Sequence, residues 1–204
     1  MCGRFVLITD LTKILQAFDV QKVTGELHQG VNISPGQMIS AVVRDEFSKL
    51  VNFKWGLVPS WAKDPSIGNK MINARAETVA EKPSFRQAFK RHRCLIVADG
   101  FYEWKPEGRK KTPLWFGLKS GEPFGFAGLY EIWHSPDKTP LQTCTIITTD
   151  ANDLISPIHD RMPVIVPKTD EAAWIDPDNQ DRAGLLSILK PYPQDLMVMA
   201  QAKI

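Results

Sequence analysis

Cys2 carries the most chemistry in this sequence, because removal of Met1 would make it an amino terminus. Cysteine is small enough for that removal. The product would pair an α-amine of pKa near ~7.7 with a thiol near ~8.5 on adjacent carbons. Such a 1,2-aminothiol offers a substantially neutral amine and a strong nucleophile together, which no internal cysteine does. With an aldehyde the amine gives a Schiff base, and the thiol closes on it to form a five-membered thiazolidine. Position two alone is also compatible with an inert, packed cysteine.

Three further residues could move protons or orient them. Glu103 stands among aromatics in Asp99-Gly100-Phe101-Tyr102-Glu103-Trp104. Desolvation there would raise its pKa into the range useful for acid–base work. Taken alone, it reads better as a solvent-facing strand residue. His159, in a loop between Pro157 and Pro163, is a candidate proton shuttle with Asp160 or Arg161 beside it. In Asn73-Ala74-Arg75 the amide could orient an amine or a carbonyl, and Arg75 could grip a phosphate or carboxylate. Local evidence favours Asn73 as a helix cap.

Aromatics and cations are interleaved. Trp55, Trp61 and Trp104 occur near Lys54, Lys63 and Lys105, while Arg4, Arg75 and Arg161 flank the candidate catalytic positions. Single-stranded nucleic acid needs this combination, π-faces for unstacked bases and charges for phosphates. The runs Lys90-Arg91-His92-Arg93 and Arg109-Lys110-Lys111 read as solvated faces.

The elements that must hold these residues are mostly short strands. Thr9 or Asp10 caps a short helix with Leu11, Ile14, Leu15 and Phe18 on one side. Residues 39–43 and 50–55 read as a hairpin, 56–72 as a long loop, and 84–92 as a helix with Phe85, Ala88 and Phe89 inward. The segment Val31-Asn32-Ile33-Ser34-Pro35-Gly36 reads as a tight turn. Strands follow at 94–98, 101–105, 113–118, 124–130 and 141–148, then a brief helix near 151–155, a strand at 163–166 and helices near 169–174 and 181–189. Short turns between adjacent strands imply an antiparallel sheet that can curl into a barrel, with helices to the sides. The class is α+β: one domain, residues 1–204, with a mostly antiparallel, barrel-like β core flanked by short helices.

Composition sets the outer limits. The 204 residues are 43% hydrophobic and 24% charged, which excludes long disorder and coiled coils. No apolar run reaches the ~18 residues of a membrane span. Arg4 and Asp10 stand where a signal peptide needs an apolar stretch, so a cytoplasmic location is expected. A net charge of +2 is too small to argue nucleic-acid binding by itself. Cys2, Cys94 and Cys144 are odd in number and show no metal-ligand spacing, so neither a metal nor a cofactor is expected.

Taken together, the segments resemble the SOS-response-associated peptidase (SRAP) family, whose members crosslink abasic sites in single-stranded DNA. The resemblance lies in Met1-Cys2-Gly3-Arg4-Phe5, Asn32-Ile33-Ser34-Pro35-Gly36, Trp55-Gly56-Leu57-Val58-Pro59-Ser60-Trp61, Asn73-Ala74-Arg75-Ala76-Glu77-Thr78, Ala98-Asp99-Gly100-Phe101-Tyr102-Glu103-Trp104 and Ile158-His159-Asp160-Arg161-Met162-Pro163. It implies a DNA-repair protein, bound to the nucleoid when on DNA, that forms a thiazolidine through mature Cys2. Met1 would leave by self-processing or an aminopeptidase, and lyase-like partial reactions would accompany the crosslink. It implies Cys2 as nucleophile, Asn73 orienting it, Glu103 as the acid–base residue and His159 as the second proton-transfer group. Arg4, Asn32, Trp61, Arg75, Trp104 and Arg161 would face DNA, with Thr148 beside them. The partner would be single-stranded DNA with abasic sites, and the protein would act as a monomer. Beyond Pro167 the resemblance fades, and Asp195–Ile204 lacks the asparagine-rich tail of the family.

Three other readings compete. A class II glutamine amidotransferase also begins Met-Cys-Gly, but its Asn-Gly-Glu segment is absent here. Cys2, His159 and Asn73 could imitate a Cys-His-Asn peptidase triad. A non-covalent single-strand binder would need the cations and aromatics but not the thiol.

Overall fold

Apolar runs such as Cys94–Ala98 and the alternation of Val51, Phe53 and Trp55 become strands in the computed structural model, which describes residues 2–108 and 110–203. In chain order the elements are β1 (Phe5–Leu7), α1 (Leu11–Ala17), β2 (Lys22–Val23), β3 (Gly30–Ile33), β4 (Met38–Arg44), β5 (Ser48–Trp55) and β6 (Asn73–Arg75). They continue with α2 (Arg86–Arg91), β7 (Arg93–Ala98), β8 (Gly100–Glu107), β9 (Lys110–Leu118), β10 (Phe124–His134) and β11 (Pro140–Asp150). The chain ends with β12 (Arg161–Pro163), α3 (Glu171–Ile175), α4 (Arg182–Ile188) and β13 (Met197–Gln201).

Five strands close a barrel in the order β11-β10-β7-β4-β5, and the ring is sealed where β5 returns to β11. Four of its contacts are antiparallel; the seam is parallel, with Thr143 opposite Lys54 and Cys144 opposite Trp55. The expected hairpin is β4–β5, paired from Met38↔Lys54 to Arg44↔Ser48. A second, antiparallel sheet, β13-β9-β8-β1-β3, is joined to the barrel by aromatic packing. Phe5 lies 5.4 Å from Trp55 and 5.9 Å from Phe126, and Phe101 lies 6.1 Å from Phe126. Edge-on and tilted rings at such separations add to the apolar area they bury.

The helices close the sides. Asp10 caps α1 by accepting from the Lys13 amide at 3.0 Å, the role expected of it. Phe85, Ala88 and Phe89 turn inward, as their spacing requires. Arg93 departs from the solvated-face reading, because only 1% of it is exposed. Its guanidinium donates to the carbonyls of Phe89, Lys90, Trp174, Asp176 and Asn179, so it ties the ends of α2 and α3 to β7. Of the other basic run, Lys110 and Lys111 are exposed, and Arg109 lies outside the described residues.

Loop 56–72 is pinned at several points rather than free. Gly56 adopts φ +132, and a Cβ there would meet the Gly68 carbonyl oxygen at 2.7 Å, so only glycine fits. Val58 donates to Thr143 Oγ1 at 2.9 Å, Trp133 Nε1 donates to the Ala62 carbonyl at 2.7 Å, and Trp55 Nε1 donates to the Ile72 carbonyl at 2.9 Å. Residues 153–158 form turns in place of a brief helix, the strand expected at 163–166 lies at 161–163, and residues 30–33 are a strand whose turn begins at Ser34. Among the described residues no helix is long and apolar enough to cross a membrane.

Candidate functional site

β1 is the centre of the site because it is held on both sides, by β8 through Phe5↔Phe101 and by β3 through Phe5↔Ile33. The Tyr102 amide donates to the Arg4 carbonyl at 3.0 Å, which continues the ladder and leads the first residues toward Glu103. Beyond β1, Asp99 fixes the exit by accepting from the amides of Ile8 at 2.6 Å and Thr9 at 2.8 Å.

Cys2 is fully buried. Burial pushes its thiol well above the ordinary range and the Glu103 charge adds to that, while the positive amino terminus and the Arg4 amide act in the opposite direction. Cys94 and Cys144 are also free, buried and raised by desolvation. Only Cys2 has a carboxylate acting on it. Met1 lies outside the described residues.

Glu103 is not solvent-facing: only 4% of it is exposed. Strand alternation puts it on the side of Phe101, facing the core, with Tyr102 and Trp104 on the other side. Its carboxyl is pushed up to about 7, chiefly by burial, with the amino-terminal charge opposing and the Asp160 charge adding to the shift. A carboxyl of that pKa can both give and take a proton at neutral pH.

His159 sits at the end of a turn anchored by buried Ile155, whose carbonyl accepts from the His159 amide at 3.0 Å. Burial and the amino-terminal charge lower its pKa, and Asp160 raises it. Cys2, Glu103, His159 and Asp160 therefore form one electrostatically linked group.

Asn73 does not cap a helix. It opens β6, which pairs parallel with β11 through Ile146↔Asn73, Ile147↔Ala74 and Thr148↔Arg75. This long-range ladder outweighs the local capping preference. Asn73 Nδ2 donates to the Ile146 carbonyl at 3.4 Å, and Oδ1 is buried without a hydrogen-bond partner among the described residues. An acceptor left in that state is costly unless something else fills it. Asn73 adjoins Ile72, whose carbonyl holds Trp55, and Trp55 packs on Phe5 three residues from Cys2. Arg75, two residues on, shares the face of Asn73 and is exposed.

The residues expected to face DNA divide into two sets. Arg4 donates to Asn32 Oδ1 at 3.0 Å, Arg4 and Trp104 are half-buried, and Asn32 is exposed. Trp61 is 58% exposed and, with Lys63, Ser66 and Lys70, borders a cavity of about 280 Å³. Thr148 and Arg161 are buried. Arg161, 8% exposed, donates to Glu77 at 2.8 and 3.0 Å, to Asp150 at 2.6 Å and to the Thr148 carbonyl at 2.7 Å. The carboxylates of Glu77 and Asp150 were not singled out from sequence, and no local pattern pairs residues so far apart.

A closed barrel and a second sheet, with a buried cysteine at position two and a buried carboxyl that are linked electrostatically to a histidine, define an α+β protein with a cysteine-centred candidate site. The family model for SOS response associated peptidase (SRAP) matches residues 1–203, so the chain belongs to that family. The match runs past Pro167, where the sequence resemblance had faded, and β13 accounts for the divergent tail as the edge strand beside β9. The chain is 48% identical over 201 residues to the "Abasic site processing protein YoqW" of Bacillus subtilis (strain 168), covering 97% of this chain and 90% of that one. It is 35% identical to the "Abasic site processing protein HMCES" of Gallus gallus, covering 70% of this chain and 49% of that one. A crystal structure of a Bacteroides thetaiotaomicron protein superposes with a TM-score of 0.91 at 28% identity, over 99% of this chain and 92% of that one.

Proposed function

We propose that this protein repairs DNA by attaching itself to abasic sites in single strands through a thiazolidine at Cys2. The observation that carries the reading is the pairing of the Arg4 carbonyl with the Tyr102 amide, which leads the fully buried Cys2 toward the buried Glu103, a carboxyl that burial suits to acid–base work. Relatives named abasic site processing proteins support the substrate.

After removal of Met1, by self-processing or by an aminopeptidase, the Cys2 amine attacks C1′ of the ring-opened sugar and forms a carbinolamine. Glu103 protonates the sugar ring oxygen as the ring opens, takes back the proton of the anomeric hydroxyl, and then gives it to the carbinolamine hydroxyl, which leaves as water. The thiol passes its proton to the Glu103 carboxylate and its sulfur adds to the iminium carbon, which closes the five-membered ring with a neutral nitrogen. Ring closure removes the iminium that would drive β-elimination and strand cleavage, so lyase activity is confined to adducts that have not closed. His159 is the second proton carrier, and the Asn73 carboxamide oxygen accepts an N–H of the amine. Arg4, Asn32, Trp61, Arg75 and Trp104 meet the strand directly, while Thr148 and Arg161 support the Arg75 segment from behind. The protein works in the cytoplasm as a monomer, on the nucleoid when bound.

Mixing the protein with single-stranded DNA carrying one abasic site and running a denaturing gel tests this. A heat-resistant shifted band should form with wild type and not with Cys2→Ala; equal bands would refute the nucleophile. Glutamine hydrolysis without a band would favour an amidotransferase.

A further inference from the structure

His159 makes two contacts at one atom that no single protonation state satisfies. Its Nδ1 lies 2.9 Å from the main-chain nitrogen of Arg161 and 2.9 Å from Oδ1 of Asp160. The Arg161 amide can only donate. It therefore needs a lone pair on Nδ1 and leaves the proton of a neutral ring on Nε2. The Asp160 carboxylate can only accept, so it needs that proton on Nδ1 and leaves the lone pair on Nε2. These are the two neutral tautomers of imidazole, and they present opposite capacities at Nε2. The first donates there; the second can take a proton.

We propose that Asp160 is a positioning residue that draws His159 out of the tautomer held by the Arg161 amide and into the one whose Nε2 accepts a proton. The proposal rests on the reading of His159 as a proton carrier. The exchange balances without a further reactant: one proton leaves Nε2 to water, one returns from water at Nδ1, and the ring is neutral before and after. From the second tautomer, Nε2 takes the proton released when the Cys2 amine adds to the sugar. The resulting imidazolium is held by Asp160 through Nδ1–H until Nε2 gives its proton to the carbinolamine oxygen, the hydroxyl that Glu103 then carries off as water.

Two features favour an exchange over a permanent pair. The Asp160 side chain is 86% exposed, so water competes for its oxygen and the contact forms and breaks easily. The ring is held by a turn on buried Ile155, so it can stay in place while the proton moves. Among the described residues, the charges acting on the ring are those of Asp160 and Arg161, and Arg161 is already matched by Glu77 and Asp150. The same Asp160 charge acts on Glu103, so one exposed carboxylate adjusts both proton carriers.

Long-range proton–nitrogen NMR of the full-length, nitrogen-15-labelled protein tests this, with His159 assigned by its loss in His159→Gln. At about pH 8, where imidazole is neutral, wild type should show both ring nitrogens at averaged positions. Asp160→Ala should move Nδ1 to the position of an unprotonated nitrogen and Nε2 to that of a protonated one, and Asp160→Glu should reverse part of the change. Adduct formation should slow about tenfold in Asp160→Ala, the direction expected when a histidine loses its working tautomer. Identical nitrogen positions in wild type and Asp160→Ala overturn the proposal, whatever the rates do. A shift change in a protein whose wild type forms no adduct supports the tautomer assignment and overturns the proton-carrier reading instead.

Discussion

Burial of Glu103 couples folding to pH. Because its carboxyl is raised to about 7, the folded protein holds a proton that the unfolded chain releases near the ordinary glutamate value. This contribution to stability is therefore present in acid and lost as pH rises toward and through neutrality. Glu103→Gln should flatten that part of the curve, raising the melting temperature of the variant relative to wild type at pH 8 and not at pH 4; calorimetry across that range checks it. If Glu103 supplies the proton that opens the sugar, the variant should also form adduct about a hundredfold more slowly, with the wild-type decline above neutral pH gone. Residue type and neighbours single out Cys2 and His159 as candidates, but do not show that Cys2 is fully buried or that both are linked to Glu103 and Asp160. The burial of Glu103 was hinted at by Phe101 and Trp104, but strand alternation alone could not say which face was inside. Asn73 was misread, because its nearest neighbours in sequence carry no trace of β11.

Long-range pairing decided the elements that sequence missed. β6 and β13 are short, and each exists because a longer strand, β11 or β9, supplies its hydrogen bonds. α1 and the β4–β5 hairpin were legible because Asp10 and the alternation of Val51, Phe53 and Trp55 act locally. Arg93 carries the strongest element-level prediction. Its buried guanidinium satisfies five carbonyls at the ends of two helices, so Arg93→Ala should cost about 3–5 kcal/mol by chemical denaturation. Lysine should recover little, since it lacks the planar fork. Asp99→Ala should cost about 1–3 kcal/mol and slow adduct formation, because the amides it holds fix the exit of β1.

At the scale of the whole molecule, the barrel provides a rigid wall and the pinned 56–72 loop presents Trp61 to solvent. Trp61→Ala should weaken single-strand binding by about 1–3 kcal/mol through lost stacking. Arg75→Ala should reduce the salt dependence of binding by about one counterion, measured by fluorescence anisotropy across a salt series. The barrel itself was legible as a run of short strands, but its parallel seam was not, since the 56–72 loop, β6, α2 and the strands β7 to β10 all lie between β5 and β11 in the chain. The most direct test of the chemistry is intact mass spectrometry of the trimmed DNA adduct, with and without borohydride. Thiazolidine formation at Cys2 predicts an adduct on a chain lacking Met1, mapped to Cys2 and unchanged by borohydride because the sulfur has closed the ring. An adduct that retains Met1, maps to a lysine, or gains two hydrogens on reduction would contradict it.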